Sequence, residues 1–146
     1  MLAVAAGGFI YYQEKIGQNL AGDVGQTVDP FAGIIIPEDV DEATRAVMQT
    51  NIDSIKKMYE DKPDIWETWI AIGNLKALLR DYEGAVSSYR ESISIHGSNI
   101  LGYRNIAEVY KNNLKDYEKA KEYYGLALEI NSLDPELYIS KALIEE

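Results

Sequence analysis

The side chains able to do chemistry are few, and their spacing argues against most of it. The chain has one histidine, His96, and no cysteine, which removes thiolate nucleophiles, disulfides and thiolate metal sites together. A lone imidazole lacks the companions a transition-metal site needs, so no metal and no cofactor is expected. His96 ends a helical run directly before Gly97. There an imidazole is expected to satisfy the last carbonyls, and the glycine to take the left-handed turn. The stretches AAGGFI and AGDVGQ are not phosphate loops: neither follows a strand, and neither has the Gly-Lys-Ser/Thr ending or the third glycine. EDVDE, residues 38–42, crowds carboxylates without the alternation and central glycine of a calcium loop. A helix N-terminus, which favours acidic side chains in its first turn, accounts for it better. No catalytic residue is identified, and the chain is read as non-enzymatic.

Binding remains, and composition narrows the partner. Over 146 residues the net charge is −10, with an isoelectric point near 4.6 and acidic residues spread along the chain. Such a surface repels phosphate backbones and anionic headgroups, which argues against nucleic acid. The charge is read chiefly as a solubility device. With 47% hydrophobic and 26% charged residues the chain is an ordinary globular sequence, long enough to bury a core.

Three regions differ in texture. Residues 1–20 begin with MLAVAAGGFIYY, which carries no charged side chain. This run is far shorter than the roughly 20 apolar residues of a bilayer span, and it lacks the basic start of a secretory signal. Two readings stay open. It is either the later half of a signal anchor, with Tyr11 and Tyr12 at the interface and the rest of the chain outside the cytoplasm, or a short apolar helix folded back on the domain. An anchor would need further apolar residues upstream. Residues 21–40 read as a linker, broken by glycines and two prolines. Its apolar island, FAGIII, lies in a groove of the domain or extends as a strand-like arm.

Residues 41–146 read as continuous helix. Ala43, Val47, Met48, Ile52, Ile55 and Met58 recur at three and four, marking one face of a helix that Asp41 caps and Pro63 stops. Further helices are expected over 65–79, 82–96, 100–112, 117–131 and from Pro135 on. Links of a few residues force antiparallel neighbours.

The helices repeat. RDYEGAVSSYRESISI, residues 80–95, returns as KDYEKAKEYYGLALEI, residues 115–130, at an offset of 35, whereas Trp69, Ile72 and Gly73 return as Tyr103, Ile106 and Ala107 at 34. The extra residue falls in the intervening turn, LLRDY against NNLKDY, where insertion costs little. This period, with two helices per unit, resembles the tetratricopeptide repeat. The first copy supplies Trp69, Ile72, Gly73, Ala85 and Tyr89, with Ser92 and Gly97 for the family's later alanine and proline; Lys76 departs from the expected aromatic. The second supplies Tyr103, Ile106, Ala107, Tyr110, Ala120, Tyr124 and Ala127, with Ser132 for the proline. Pro63 stands six residues before Trp69, and Tyr138 and Ala142 open a third unit. Small residues are expected where helices cross closely, and rings between units. Tyr82 and Tyr117 are expected in the turns.

The resemblance implies an all-α, antiparallel helix-hairpin solenoid whose first helices line a concave groove for peptides. By helical spacing the lining is Glu67, Ile70, Asn74 and Ala77 in one unit, and Leu101, Arg104, Asn105 and Glu108 in the next. One subgroup of the family holds a peptide's terminal carboxylate with asparagines and cations. Asn74 and Asn105 match the asparagines, but Ile70, Glu136 and Ser140 stand where cations belong, leaving a carboxylate little charge compensation. The expected function is a non-catalytic module presenting this groove to a protein or peptide. The alternatives are an assembly scaffold that self-associates through the last helix, and a regulatory domain of a larger enzyme.

Overall fold

The computed structural model describes residues 29–144, so the N-terminal segment with its two readings lies outside the described residues. Six helical segments follow a short arm: α1 (Glu42–Asp61), α2 (Trp66–Leu78), α3 (Tyr82–Ile95), α4 (Ile100–Val109), α5 (Tyr117–Ile130) and α6 (Pro135–Ala142), with no strand among the described residues. They stack as antiparallel hairpins, α2 on α3 and α4 on α5, and α6 packs against α5. No helix among the described residues is long and apolar enough to cross a membrane.

Five of the six helices start at a side-chain cap, and α2, which follows Ile65, does not. Asp41, Asp81, Asn99, Asp116 and Asp134 are N-caps whose side chains accept from the N–H groups of Thr44, Gly84, Gly102, Lys119 and Leu137. Apart from Gly102, which also donates to the Asn99 carbonyl at 3.1 Å, those donors would otherwise go unpaired, and a cap contributes about 1 kcal/mol.

The turn within each hairpin is made by a residue in the left-handed region, Arg80 (φ 66°) in the first and Lys115 (φ 57°) in the second. The two are equivalent at the offset of 35. The residue after Arg80, Asp81, donates its N–H to the Lys76 carbonyl five residues back. After Lys115, Asp116 reaches back six, to Tyr110, because Tyr110–Leu114 winds into a π turn. The inserted residue is thus absorbed by widening the end of α4, so both caps arrive in register for the second helix.

The links between units are built otherwise. Gly97 is not left-handed; among the described glycines only Gly33 has positive φ (77°). The reason is that His96 ends α3 in an extended conformation (φ −136°) and its carbonyl accepts from the Asn99 N–H at 2.9 Å. That tight closure needs no left-handed residue. Nor does the imidazole cap carbonyls: its Nε2 lies 3.2 Å from the Ser98 hydroxyl, and its ring stacks on Trp66 at 6.0 Å.

Two apolar clusters result. The larger runs through both hairpins, from Ile70 and Ala85 to Tyr124 and Leu137. Within it Tyr110 stacks on Tyr123 at 5.9 Å, and Arg90 reaches both hydroxyls, at 3.5 and 3.2 Å. The smaller joins α1 to α2 through Ile52, Ile55, Ile72 and Leu75, with Phe31, Ile34 and Ile36 of the arm packed onto it. The apolar island therefore lies against the domain. Arg45 on α1 fastens it, donating to the carbonyls of Pro37 and Glu38 at 3.0 and 3.2 Å.

Candidate functional site

The first helix of each unit is set by one recurring bond. The Trp69 indole N–H donates to the Pro63 carbonyl at 2.8 Å, the Tyr103 hydroxyl to Gly97 at 3.0 Å, and the Tyr138 hydroxyl to Ser132 at 3.3 Å. Each time an aromatic reaches six residues back to the residue that stands in the family's proline position. The ring spans the link, and its polar edge takes a carbonyl the link leaves over.

A second recurring bond joins the helices of a hairpin and points at the wall. The Tyr89 hydroxyl on α3 donates to Asn74 Oδ1 on α2 at 2.8 Å. The equivalent Tyr124 hydroxyl on α5 donates to Glu108 on α4 and accepts from Lys111 Nζ at 2.9 Å. Glu108 also receives Lys111 at 3.0 Å and Asn112 at 2.6 Å. Burial alone would raise the Glu108 pKa, but the bonds from Tyr124, Lys111 and Asn112 outweigh it and hold the carboxyl below its ordinary value. Lys111 is shifted up: burial opposes the shift, and its bonds to Tyr124 and Glu108 overcome that. Burial pushes the Tyr89 hydroxyl up to about 12.

Between units, Asn105 Nδ2 donates to Asn74 Oδ1 at 3.5 Å, and the Arg104 guanidinium lies 3.9 Å from the Glu136 carboxylate. Neighbouring first helices are thus bridged along the wall by polar side chains. Both pairs are solvent-accessible and contribute little to stability.

The expected lining residues divide. Glu67 and Asn74 are exposed on α2, Leu101 is exposed on α4, and Arg104, Asn105 and Glu108 are half-buried. Ile70 differs. It is only 9% exposed and sits in the larger cluster, sharing a face with Trp66 and Ala77 that packs against it. That face is turned toward the following unit, so Ile70 supports the wall from behind. Leu78, four residues after Asn74 and 56% exposed, continues the exposed row on α2 and was passed over by the spacing argument. The same helical spacing would have found it. Asn112, four after Glu108, is its exposed counterpart in the second unit.

No group of three or more histidine, cysteine, aspartate or glutamate side chains among the described residues could hold a metal. The exposed and half-buried side chains along these first helices are amides, carboxylates, leucines and the Arg104 guanidinium.

No curated protein matches the chain. Among solved structures, the first TPR of Spaghetti (RPAP3) bound to the HSP90 peptide SRMEEVD is similar, with a TM-score of 0.60 at 17% identity over 70% of this chain and 81% of that one. That likeness is one of fold. The tetratricopeptide repeat profile matches residues 67–99 and 103–132, the two hairpins whose recurring bonds are described above. These residues are two tetratricopeptide repeats in a helical-hairpin solenoid.

Proposed function

We propose that the chain is a non-catalytic interaction module whose groove, walled by Glu67, Asn74, Leu78, Leu101, Asn105 and Glu108, receives a peptide segment of a partner protein. One observation carries the reading. The wall residues lie on the first helices of successive units and outside the apolar cores, with Asn74 and Glu108 held in place by the tyrosine hydroxyls of the second helices. A surface with amides and leucines in alternation is what an extended or helical peptide uses for backbone hydrogen bonds and side-chain contact. Rigid hairpins hold it ready, which limits the ordering cost on the protein side.

The similar structure holds an acidic peptide, but this wall is unsuited to such a tail. Ile70 is covered, Glu136 and Ser140 replace the remaining cations, and Arg104 already faces Glu136. The wall favours segments with apolar and basic side chains over those ending in carboxylates. A peptide array probed with the purified chain, repeated with Glu67→Arg, tests this. Capture should shift between basic and acidic peptides, and unchanged selectivity would defeat the proposal.

A further inference from the structure

The arm that precedes α1 is pinned at both ends. Phe31 is buried at its start, edge-on to Tyr59 at 5.8 Å, and at its finish the Pro37 and Glu38 carbonyls accept from Arg45. Between those ends a crevice of roughly 270 Å³ opens against α1. Residues 34–37 adopt no helix or turn, and in an extended run successive side chains face opposite ways. Ile34 and Ile36 accordingly turn inward, half-buried, while Ile35 stays 75% exposed. With Phe31 they form one wall of the crevice. The other wall is a single face of α1, carrying Arg45, Gln49, Ile52 and Lys56.

The charge of that face runs against the rest of the chain. Acidic residues outnumber basic ones 24 to 14, yet the lining has two cations and no acidic side chain. The one carboxylate bonded to the lining, Asp53, is engaged by the Gln49 amide at 2.9 Å. The Lys56 ammonium has no carboxylate partner among the described residues. It lies 5.7 Å from the centroid of the Phe31 ring, a contact that holds it beside the apolar wall without cancelling its charge. Arg45 uses Nη2 alone for the two arm carbonyls and so adds to the same positive field. Three turns of helix, about 16 Å, separate the two residues along the axis, and a small ligand meets one of them at a time. Lys56 keeps its donors for it, because Arg45 is committed to the arm.

We infer that the crevice binds a small apolar carboxylate, a free acid whose hydrocarbon body lies against Ile34, Ile36 and Ile52 and whose charge meets Lys56. The volume falls just below the roughly 300–1,000 Å³ of pockets that take drug-sized molecules, which suits one aromatic ring or a short branched chain. Inorganic phosphate would leave the isoleucines unmatched, and an uncharged hydrocarbon would leave Lys56 unanswered. The site is separate from the proposed groove, whose residues lie on α2 and α4.

The probe is 3-phenylpropionate, titrated into the full chain and followed by nitrogen–proton correlation spectra. Saturable shifts should appear at Ile34, Ile36 and the Gln49 side-chain amide, with a Kd of about 1 mM or tighter. 3-Phenylpropionamide, which has the same shape without the charge, should bind about five-fold more weakly or worse. Lys56→Glu, at an exposed position, should weaken the acid by about five-fold or more with the circular dichroism unchanged. Lys57→Glu, next in the chain but paired with Asp61 and outside the crevice, should leave the affinity intact, as should Glu67→Arg in the groove. No saturable shift up to about 10 mM, equal affinity for acid and amide, binding indifferent to Lys56→Glu, or shifts confined to the Asn74 and Asn105 amides would each overturn the proposal.

Discussion

A Cβ atom built on Gly73 would lie 2.4 Å from the ring of Tyr89, nearer than atoms of packed side chains approach. The α2 and α3 backbones meet where one side chain is absent and the other is an aromatic ring. Because Tyr89 is also held by its bond to Asn74 at 2.8 Å, the ring cannot swing aside without losing that bond. Gly73→Ala should therefore destabilise the fold by about 1–3 kcal/mol, the usual range for overpacking. Urea denaturation followed by circular dichroism measures this, and a loss below about 0.5 kcal/mol would mean the hairpin relaxes freely.

The ring-to-carbonyl bond across each link makes a separable contribution. Tyr103→Phe keeps the buried ring and removes the bond to the Gly97 carbonyl. A loss of roughly 1 kcal/mol is expected. Tyr138→Phe, whose bond is longer and whose ring is half-exposed, should cost less. Equal costs at the two positions would show that the bond strength does not follow burial.

The left-handed residues can be tested by glycine. Arg80 and Lys115 adopt φ of 66° and 57°, a conformation that costs side-chain-bearing residues about 1–2 kcal/mol relative to the right-handed one. Lys115→Gly should stabilise the chain by up to about 1 kcal/mol, since relief of that cost exceeds the added entropy of the unfolded glycine. Lys115→Val should destabilise it. Thermal melts of the two variants give the comparison.

Stability should decline at both ends of the pH scale through two groups, the hydrogen-bonded Glu108 carboxyl and the buried Tyr89 hydroxyl. The folded state holds the Glu108 carboxyl below its ordinary value of 4.5, so the unfolded chain takes up protons first as the solution is acidified. The contribution of Glu108 is present above pH 4.5 and is lost as pH falls through the lowered value. Tyr89 runs the other way. Its hydroxyl is raised from 10 to about 12, so its contribution is full below pH 10 and lost as pH rises through about 12. Glu108→Gln should flatten the acid limb of a stability-against-pH curve, and Tyr89→Phe the alkaline one. Curves of unchanged shape would remove these residues from the linkage.

What the sequence could show follows from what repetition encodes. Gly73, Ala85 and Tyr89 return as Ala107, Ala120 and Tyr124, and that recurrence alone specifies hairpins, their order and their close crossings. The one-residue mismatch was also legible as an insertion in the turn, but its resolution into a π turn at Tyr110–Leu114 was not. Loop extension and helix widening read alike in a sequence, and only the need to deliver Asp116 in register with Asp81 decides between them. Ile70 shows the same limit at the wall. Spacing places it within 60° of Glu67 on the helix, and whether such a residue faces the groove or the next unit depends on how far the hairpins rotate against each other. His96 and Gly97 misled because the link after α3 closes through Asn99, a residue whose cap belongs to the following helix.

The proposed groove is best tested by changing its chemistry without touching its support. Leu78 and Leu101 are exposed on adjacent first helices and belong to no core cluster, so Leu78→Asp or Leu101→Asp should leave the melting temperature within a degree or two, as surface changes do. Either should weaken capture of an apolar peptide by ten-fold or more, because a carboxylate would have to be desolvated beneath the bound side chain. Arg104→Glu removes a cation whose counter-ion, Glu136, lies 3.9 Å away, and it should shift selectivity further toward basic peptides while the leucine variants lower affinity for all. The two effects separate charge recognition from apolar contact. Should capture survive the leucine substitutions, the peptide binds elsewhere and the wall is scaffold.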